Sequence, residues 1–386
     1  MGFHSKMPED ALDSFADEVL AILVRRFGPD TGHKIFHESL LIGYIVLKTR
    51  AANRGSKSRG SFANLYAIYV LVEDYIAKGY VQRSNYSEYE GARFSQLMIR
   101  QRQLPFGEKL QNHALNNRLN DEFHKFYPDE PARPILRDVA TQRYWITEPL
   151  LVVHDQNIAE AIIEIIDKYV ETRRDRFTEF ISDCQQIDEL DDSESQKKVE
   201  FVASLLQPTT DARIFEIVSF AIMKAHYGSD TIWIGPTRES VEEQILRLYK
   251  TGRTNANDGG IDFVMRPLGR FFQVTETLDL KKYFLDIDKV QRFPITFVIK
   301  TELESSVVRD RLRAGAEELF GVQKVVDAYM AAVEEVVTIP QLLQYLEQAA
   351  AEGKFSEIIS EIILHSRVEF NLDDDEEAML RAMTAS

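Results

Sequence analysis

The sequence predicts an α/β (α+β) protein whose mixed sheet lies between a helical N-terminal and a helical C-terminal region. Three observations predict it. Over residues 209–302 the pattern runs helix, strand, strand, helix, strand, the order that covers a mixed sheet with helices. Apolar residues recur at helical spacing before that stretch and again from Val307 onward. The composition, 44% hydrophobic and 28% charged over 386 residues, is that of a soluble globular chain of two or three domains.

Each element follows from local signals. Residues 8–27 read as an amphipathic helix stopped by Gly28-Pro29, and residues 33–50 as a second helix. Residues 56–61, rich in glycine, serine and basic side chains, read as a loop. Residues 62–78 form a strongly apolar helix. Residues 93–102 and 107–126 are further helices separated by Pro105. The stretch RYWITEPLLVVH predicts a strand, followed by a helix from Asn157 to about Phe177. The acidic run 188–194 reads as a surface turn or linker. Asp211 is placed to cap a helix over 212–227 that Gly228 ends. TIWI at 231–234 predicts a short strand, residues 238–249 an amphipathic helix, and 261–265 and 271–275 two strands. A helix over 279–290 and a strand over 295–300 complete the core.

Charge and cysteine content narrow the function classes. A single cysteine, Cys184, excludes an intramolecular disulfide and a cysteine-built zinc site and fits a reducing compartment. No apolar run reaches membrane-spanning length. The N-terminus lacks the apolar core of a signal peptide, and Lys6 occupies the position a myristoylation signal gives to serine or threonine. The expected location is cytoplasmic. The net charge of −16 opposes indiscriminate nucleic-acid binding. The charge is uneven, however: KTRAANRGSKSRG at 48–60 holds five basic residues and no acid. Arg54, Lys57 and Arg59 there, and Arg100 and Arg102 further on, are candidate phosphate contacts. Gln111, Asn112, His113, Asn116 and Arg118, in LQNHALNNRLN, are residue types that read base edges. The same types also cap helices and solvate surfaces.

The stretch NDGGIDFVMRPLGRFFQVTE carries the chemistry. Asp-Gly-Gly serves equally as a plain turn. An acid within IDFV is costly in a buried strand unless it is paired or metal-bound, and Gln273 within FFQV poses the same question. Gln273 and Thr275 share one strand face, and the Val274 carbonyl between them can face a cation. Hydrolysis of a phosphodiester needs a hard divalent cation, an activated water and charge relief, and Mg2+ takes carboxylate, carbonyl and water oxygens.

DGGID, ten intervening residues and QVT resemble the core of the PD-(D/E)XK nuclease superfamily, most of all its Mrr-like branch with glutamine in the motif. RIFEIVSFAIMKAHYG, with Glu216, resembles the helix whose glutamate joins the metal site there; Glu242 or Glu243 is the alternative. The wording YKTGRTNANDGGIDFVMRPLGRFFQVTE with FPITFVIK, and RQRQLPFGEKLQNHALNNRLNDEFHKF earlier, is similar to type II restriction endonucleases. The resemblance implies a Mg2+-dependent, site-specific endonuclease for double-stranded DNA. It implies a homodimer and a companion DNA methyltransferase protecting the same site. Asp262, Glu216 and the Val274 carbonyl would hold the metal, and Gln273 would position its water. The implied layout is a recognition region over 1–205, a nuclease core over 206–302 and a helical extension over 303–386.

One departure stands out: Thr275 fills the family's lysine position, and threonine cannot polarise water as an ammonium does. Lys282 or Lys281, at the start of the next helix, can reach back; Glu276 can contribute a carboxylate; or the site is impaired. The rival functions are a DNA-binding protein on a decayed nuclease core and a repair or modification-dependent nuclease.

Overall fold

The computed structural model describes residues 14–51, 57–82, 85–108, 110–191, 194–252 and 261–370, and the chain divides into two units, 1–177 and 178–386. In the first unit, α1 (Ser14–Phe27) buries Phe15, Val19, Ile22 and Leu23, an i, i+4, i+7, i+8 stripe. Gly28, at φ 83°, ends it, and Pro29 at the first helical position starts α2 (Pro29–Glu38). Gly32 lets α2 lie against α1, since a Cβ there would stand 2.7 Å from Val24 backbone atoms. The single helix expected over 33–50 is broken at Ser39. That residue turns extended, and its Oγ accepts the Ile42 N–H at 3.2 Å, opening α3 (Leu40–Ala51).

The loop expected over 56–61 is helical from Lys57, where α4 (Lys57–Ala77) begins. Helix α4 is buried nearly all round, through Leu65, Tyr66, Ile68, Leu71, Val72 and Tyr75, and is the central helix of this unit. After it come β1 (Ala92–Arg93), α5 (Phe94–Gln103), a π-helical turn (Ala114–Arg118) and α6 (Leu119–Phe126). The helix expected from residue 107 thus starts only at 114. Strands β2 (Ile135–Asp138) and β3 (Arg143–Ile146) join β1 in an antiparallel sheet of order β1-β3-β2. A hairpin of β4 (Val152–Val153) and β5 (Gln156–Asn157) leads into α7 (Ala159–Asp188). Ile162, Ile165, Ile166 and Tyr169 of α7 belong to this core.

The second unit begins with the end of α7 and with α8 (Ser195–Ser204), a helix the sequence did not suggest. Cys184 is buried there, and burial, followed by the charge of Asp183, pushes its thiol up to about 12. Helix α9 (Ala212–Tyr227) has the expected ends: the Asp211 carboxylate accepts the Arg213 N–H at 2.9 Å, and Gly228 follows. The helix expected over 238–249 is instead β-structure. Strands β6 (Thr231–Ile234) and β7 (Glu242–Ile245) form a hairpin, and β8 (Arg247–Lys250) follows. Thr237 and Ser240 do form a capping box, but it caps one 3-10 turn. Period two prevails from there: Leu246 and Leu248 are buried, Arg247 and Tyr249 exposed.

Strands β9 (Phe263–Arg266) and β10 (Arg270–Thr275), helix α10 (Leu280–Lys289) and strand β11 (Ile295–Ile299) match the expected core. Beyond them lie α11 (Ser305–Phe320), α12 (Gln323–Ala332), β12 (Val333–Thr338), α13 (Ile339–Ala351) and α14 (Phe355–Phe370). Strand β12, rich in valine, interrupts a region expected to be all helix. The sheet has the order β12-β11-β10-β9-β8; β8, β9 and β10 run antiparallel, and β10, β11 and β12 parallel. Helices α9, α13 and α14 share one core with Phe263 and Phe272 of the sheet; α10, α11 and α12 share another with Phe297 and Ile299. Residues 303–370 therefore complete the sheet and both of its cores, and α8 adds Val202. The expected divisions at 205 and 302 do not coincide with that at 177.

Candidate active site

The site lies where β9 and β10 part. Their ladder ends at the pair Phe263 and Phe272. One residue earlier, the Asp262 N–H still reaches the Phe272 carbonyl at 2.8 Å, and its carbonyl accepts the Thr251 N–H at 2.9 Å. Beyond that point side chains replace the ladder. Asp262 Oδ2 accepts the Val274 N–H at 2.7 Å, and Gln273 Nε2 donates to the Val274 carbonyl at 3.2 Å. The N–H and C=O of one strand residue point the same way, so Asp262 and Gln273 converge on one edge of Val274. Gln273 is 7% exposed, and its Oε1 is buried with no hydrogen-bond partner. A buried amide oxygen in that state is costly unless a water or a ligand donates to it.

The remaining residues divide between the sheet faces. Val274 packs against the core to which Phe215 and Val218 of α9 belong. Gln273 and Thr275 are in register with Phe297 and Ile299, whose core contains Tyr283 and Ile287 of α10. Alternation places Thr275 on that face, buried, with its Oγ1 donating to the Thr277 carbonyl at 3.4 Å. Glu216 is on the α9 side, where its Oε1 accepts from Lys250 Nζ at 2.7 Å, both side chains being under a tenth exposed. Glu242 and Glu243 are exposed on β7 and on no helix.

Lys281 and Lys282 are exposed at the first turn of α10, where the Lys282 N–H donates to Asp279. A different lysine is buried beside the end of β10. The Lys300 N–H donates to the Thr275 carbonyl at 2.9 Å, while its Nζ donates to Glu276 at 2.6 Å and to the Thr210 carbonyl at 2.7 Å. Lys250 and Lys300 were missed in the sequence because the first meets its acid only through the packing of α9 on β8 and the second only through strand register. A lysine closing an apolar strand, as in ITFVIK, was the available signal.

Among the described residues no three His, Cys, Asp or Glu side chains are grouped to hold a metal ion. At Val274 the Asp262 carboxylate meets the N–H and the Gln273 amide nitrogen meets the carbonyl. The carboxylate and carbonyl oxygens are of the kind a hard cation such as Mg2+ takes.

The candidate DNA-reading residues belong to the first unit. Arg54 lies outside the described residues, and only the helical backbone of Lys57 and Arg59 is described. Arg100 is held in a two-pronged pair with Glu73, at 2.7 and 2.8 Å. Arg102 is exposed and donates to the Leu110 carbonyl at 3.3 Å. Gln111, Asn112, His113 and Arg118 are exposed around the π-helical turn. Asn116 is half-buried and structural, its Oδ1 accepting from Tyr144 and its carbonyl from Arg137, each at 3.3 Å. The Arg118 Nε donates to Glu122 at 3.1 Å, and Glu122 also takes Lys48 and Asn64, each at 2.7 Å. Burial raises the Glu122 carboxyl, but Lys48 and Arg118 outweigh it and hold the group below the usual range. This network anchors the turn that carries the exposed polar side chains.

Comparison with protein-family models, curated proteins and solved structures finds no match to the chain.

Proposed function

We propose that the protein is a Mg2+-dependent endonuclease of the restriction type, hydrolysing phosphodiester bonds of double-stranded DNA at a specific sequence. The observation that carries this reading is the parting of β9 and β10, where Asp262 and Gln273 meet at Val274 and a buried amide oxygen lacks a partner. The run α9, β9, β10, α10 and β11, the helix-strand-strand-helix-strand order expected over 209–302, is compatible with it, although β8 stands where a helix was expected. The proposed assembly is a homodimer on DNA, protected in the cell by a methyltransferase of the same specificity.

Asp262 and the Val274 carbonyl would hold the cation. When bound, Mg2+ supplies a polarised phosphoryl oxygen and a more acidic water. Gln273, by turning its amide, presents Oε1 to that water. Lys300 meets Thr275 through its backbone N–H alone; its Nζ, held by Glu276 and the Thr210 carbonyl and 5.9 Å from the Phe215 ring, lies on the α9 side of the sheet and does not take the place of the family's lysine. Glu216 holds Lys250 rather than standing open to a metal.

A second reading, a DNA-binding protein on a decayed nuclease core, is favoured by the ion pairs that occupy Glu216 and Glu276. Metal removal separates the two readings. With EDTA, cleavage of double-stranded DNA should stop and binding persist; added Mg2+ should restore cleavage. A protein that binds DNA equally with and without Mg2+ and never cuts it, methylated or unmethylated, is the decayed core.

A further inference from the structure

Strands β8 and β9 leave one face of the sheet open, and it is the face that carries Asp262 and Gln273. Leu248, Phe263 and Met265 are buried in the α9-side core. Alternation turns Arg247 and Tyr249 of β8, and Asp262, Val264 and Arg266 along β9, the other way. Helices α10, α11 and α12 share a core with β10 and β11 on that side, and none of the residues in that core belongs to β8 or β9. Arg247, Tyr249 and Arg266 are accordingly exposed.

Register arranges this face in rows. Arg247 lies directly opposite Arg266; Tyr249 lies opposite Val264, which on its other side lies opposite Phe271. Like charges directly opposite each other destabilise a strand pair. Among the described residues neither guanidinium has an ion pair or hydrogen bond to offset that cost. An anion held between the two would offset it. From Asp262 along β9 the order is carboxylate, apolar row, arginine pair, in steps of about 7 Å. A nucleic-acid strand presents phosphate and sugar in the same alternation.

We propose that this open face holds the backbone of the DNA substrate. The phosphate to be cut lies at Asp262, sugars lie over Tyr249, Val264 and Phe271, and a phosphate further along is held between Arg247 and Arg266. Charge selects this occupant: in a chain of net charge −16, two opposed arginines without acids attract a polyanion. The inference takes its partner, DNA, from the reading above, but binding tests it without cleavage.

The test is fluorescence anisotropy of a short fluorescein-labelled duplex of mixed sequence, in EDTA, over a series of salt concentrations. At physiological salt the double variant Arg247→Ala with Arg266→Ala should bind about fivefold more weakly than the natural chain. Its slope of log affinity against log salt should be shallower by about one. Each single variant should show a smaller loss. Tyr249→Ala should weaken binding with the slope unchanged, since it removes a contact and no charge. Urea midpoints of the arginine variants should be unchanged or higher, because the opposed charges are relieved. Arg311→Ala, at an exposed arginine of α11, should bind as the natural chain does. A double variant with the natural affinity and slope overturns the inference, as does an equal loss in Arg311→Ala; both leave the nuclease reading standing if the natural chain cuts DNA. A natural chain that binds no DNA overturns both. Binding that is lost in the double variant of a chain that never cuts supports this face as the DNA surface of a decayed core.

Discussion

Asp262→Asn should lower DNA cleavage by about 10³-fold, the scale on which loss of one preorganised charged group acts in an enzyme site. The fold should survive. Asparagine keeps an oxygen for the Val274 N–H, which now meets Oδ2 at 2.7 Å, and loses only the charge that holds a cation. Asp262→Ala should match it in activity and also lose stability, by about 1–3 kcal/mol, because a strand N–H loses its acceptor. Comparing cleavage rates with urea midpoints for both variants separates the two roles. Equal activity in Asp262→Asn and the natural protein would remove Asp262 from the chemistry.

Glu216→Ala should have the largest effect on stability, about 3–5 kcal/mol, because it strands the buried Lys250 ammonium without its partner. The residues around the pair are apolar: Phe215, Ile217 and Phe220 on α9, and Phe263, whose ring lies 5.9 Å from Lys250 Nζ. The double replacement Glu216→Leu with Lys250→Met should recover most of that loss, since two apolar side chains of similar volume need no counter-charge. Urea unfolding of the two single variants and the double gives the coupling directly. A loss below about 1 kcal/mol for Glu216→Ala would mean that the pair acts as a solvated surface bridge.

Local signals made much of the second unit legible. Asp211 and Gly228 delimit α9 because capping chemistry is written within a few residues. The strand pair around Pro267-Leu268-Gly269 is likewise announced by its turn. The acid in IDFV and the glutamine in FFQV stood out because polar groups in apolar strands require partners, and the two do meet at Val274. What the sequence could not supply was register. Lys250 lies 34 positions from Glu216, and Lys300 lies 24 from Glu276. The packing of α9 on β8 brings the first pair together, and the pairing of β10 with β11 the second. Lys282 was the preferred lysine because it was near in sequence, yet helix α10 leaves it in solvent. Residues 241–249 misled because VEEQILRLY fits both periods over so short a span. Strand β12 was hidden between two genuine helices, and its pairing partner β11 ends 34 positions before it begins.

The most direct test of the central claim is digestion of unmethylated phage DNA with Mg2+, followed by sequencing of the fragment ends. A restriction-type nuclease should give discrete fragments whose ends share one short sequence, and methylation of that sequence should protect it. Intact DNA, methylated and unmethylated alike, or random ends that persist in Asp262→Asn, would contradict a site-specific nuclease acting at Asp262.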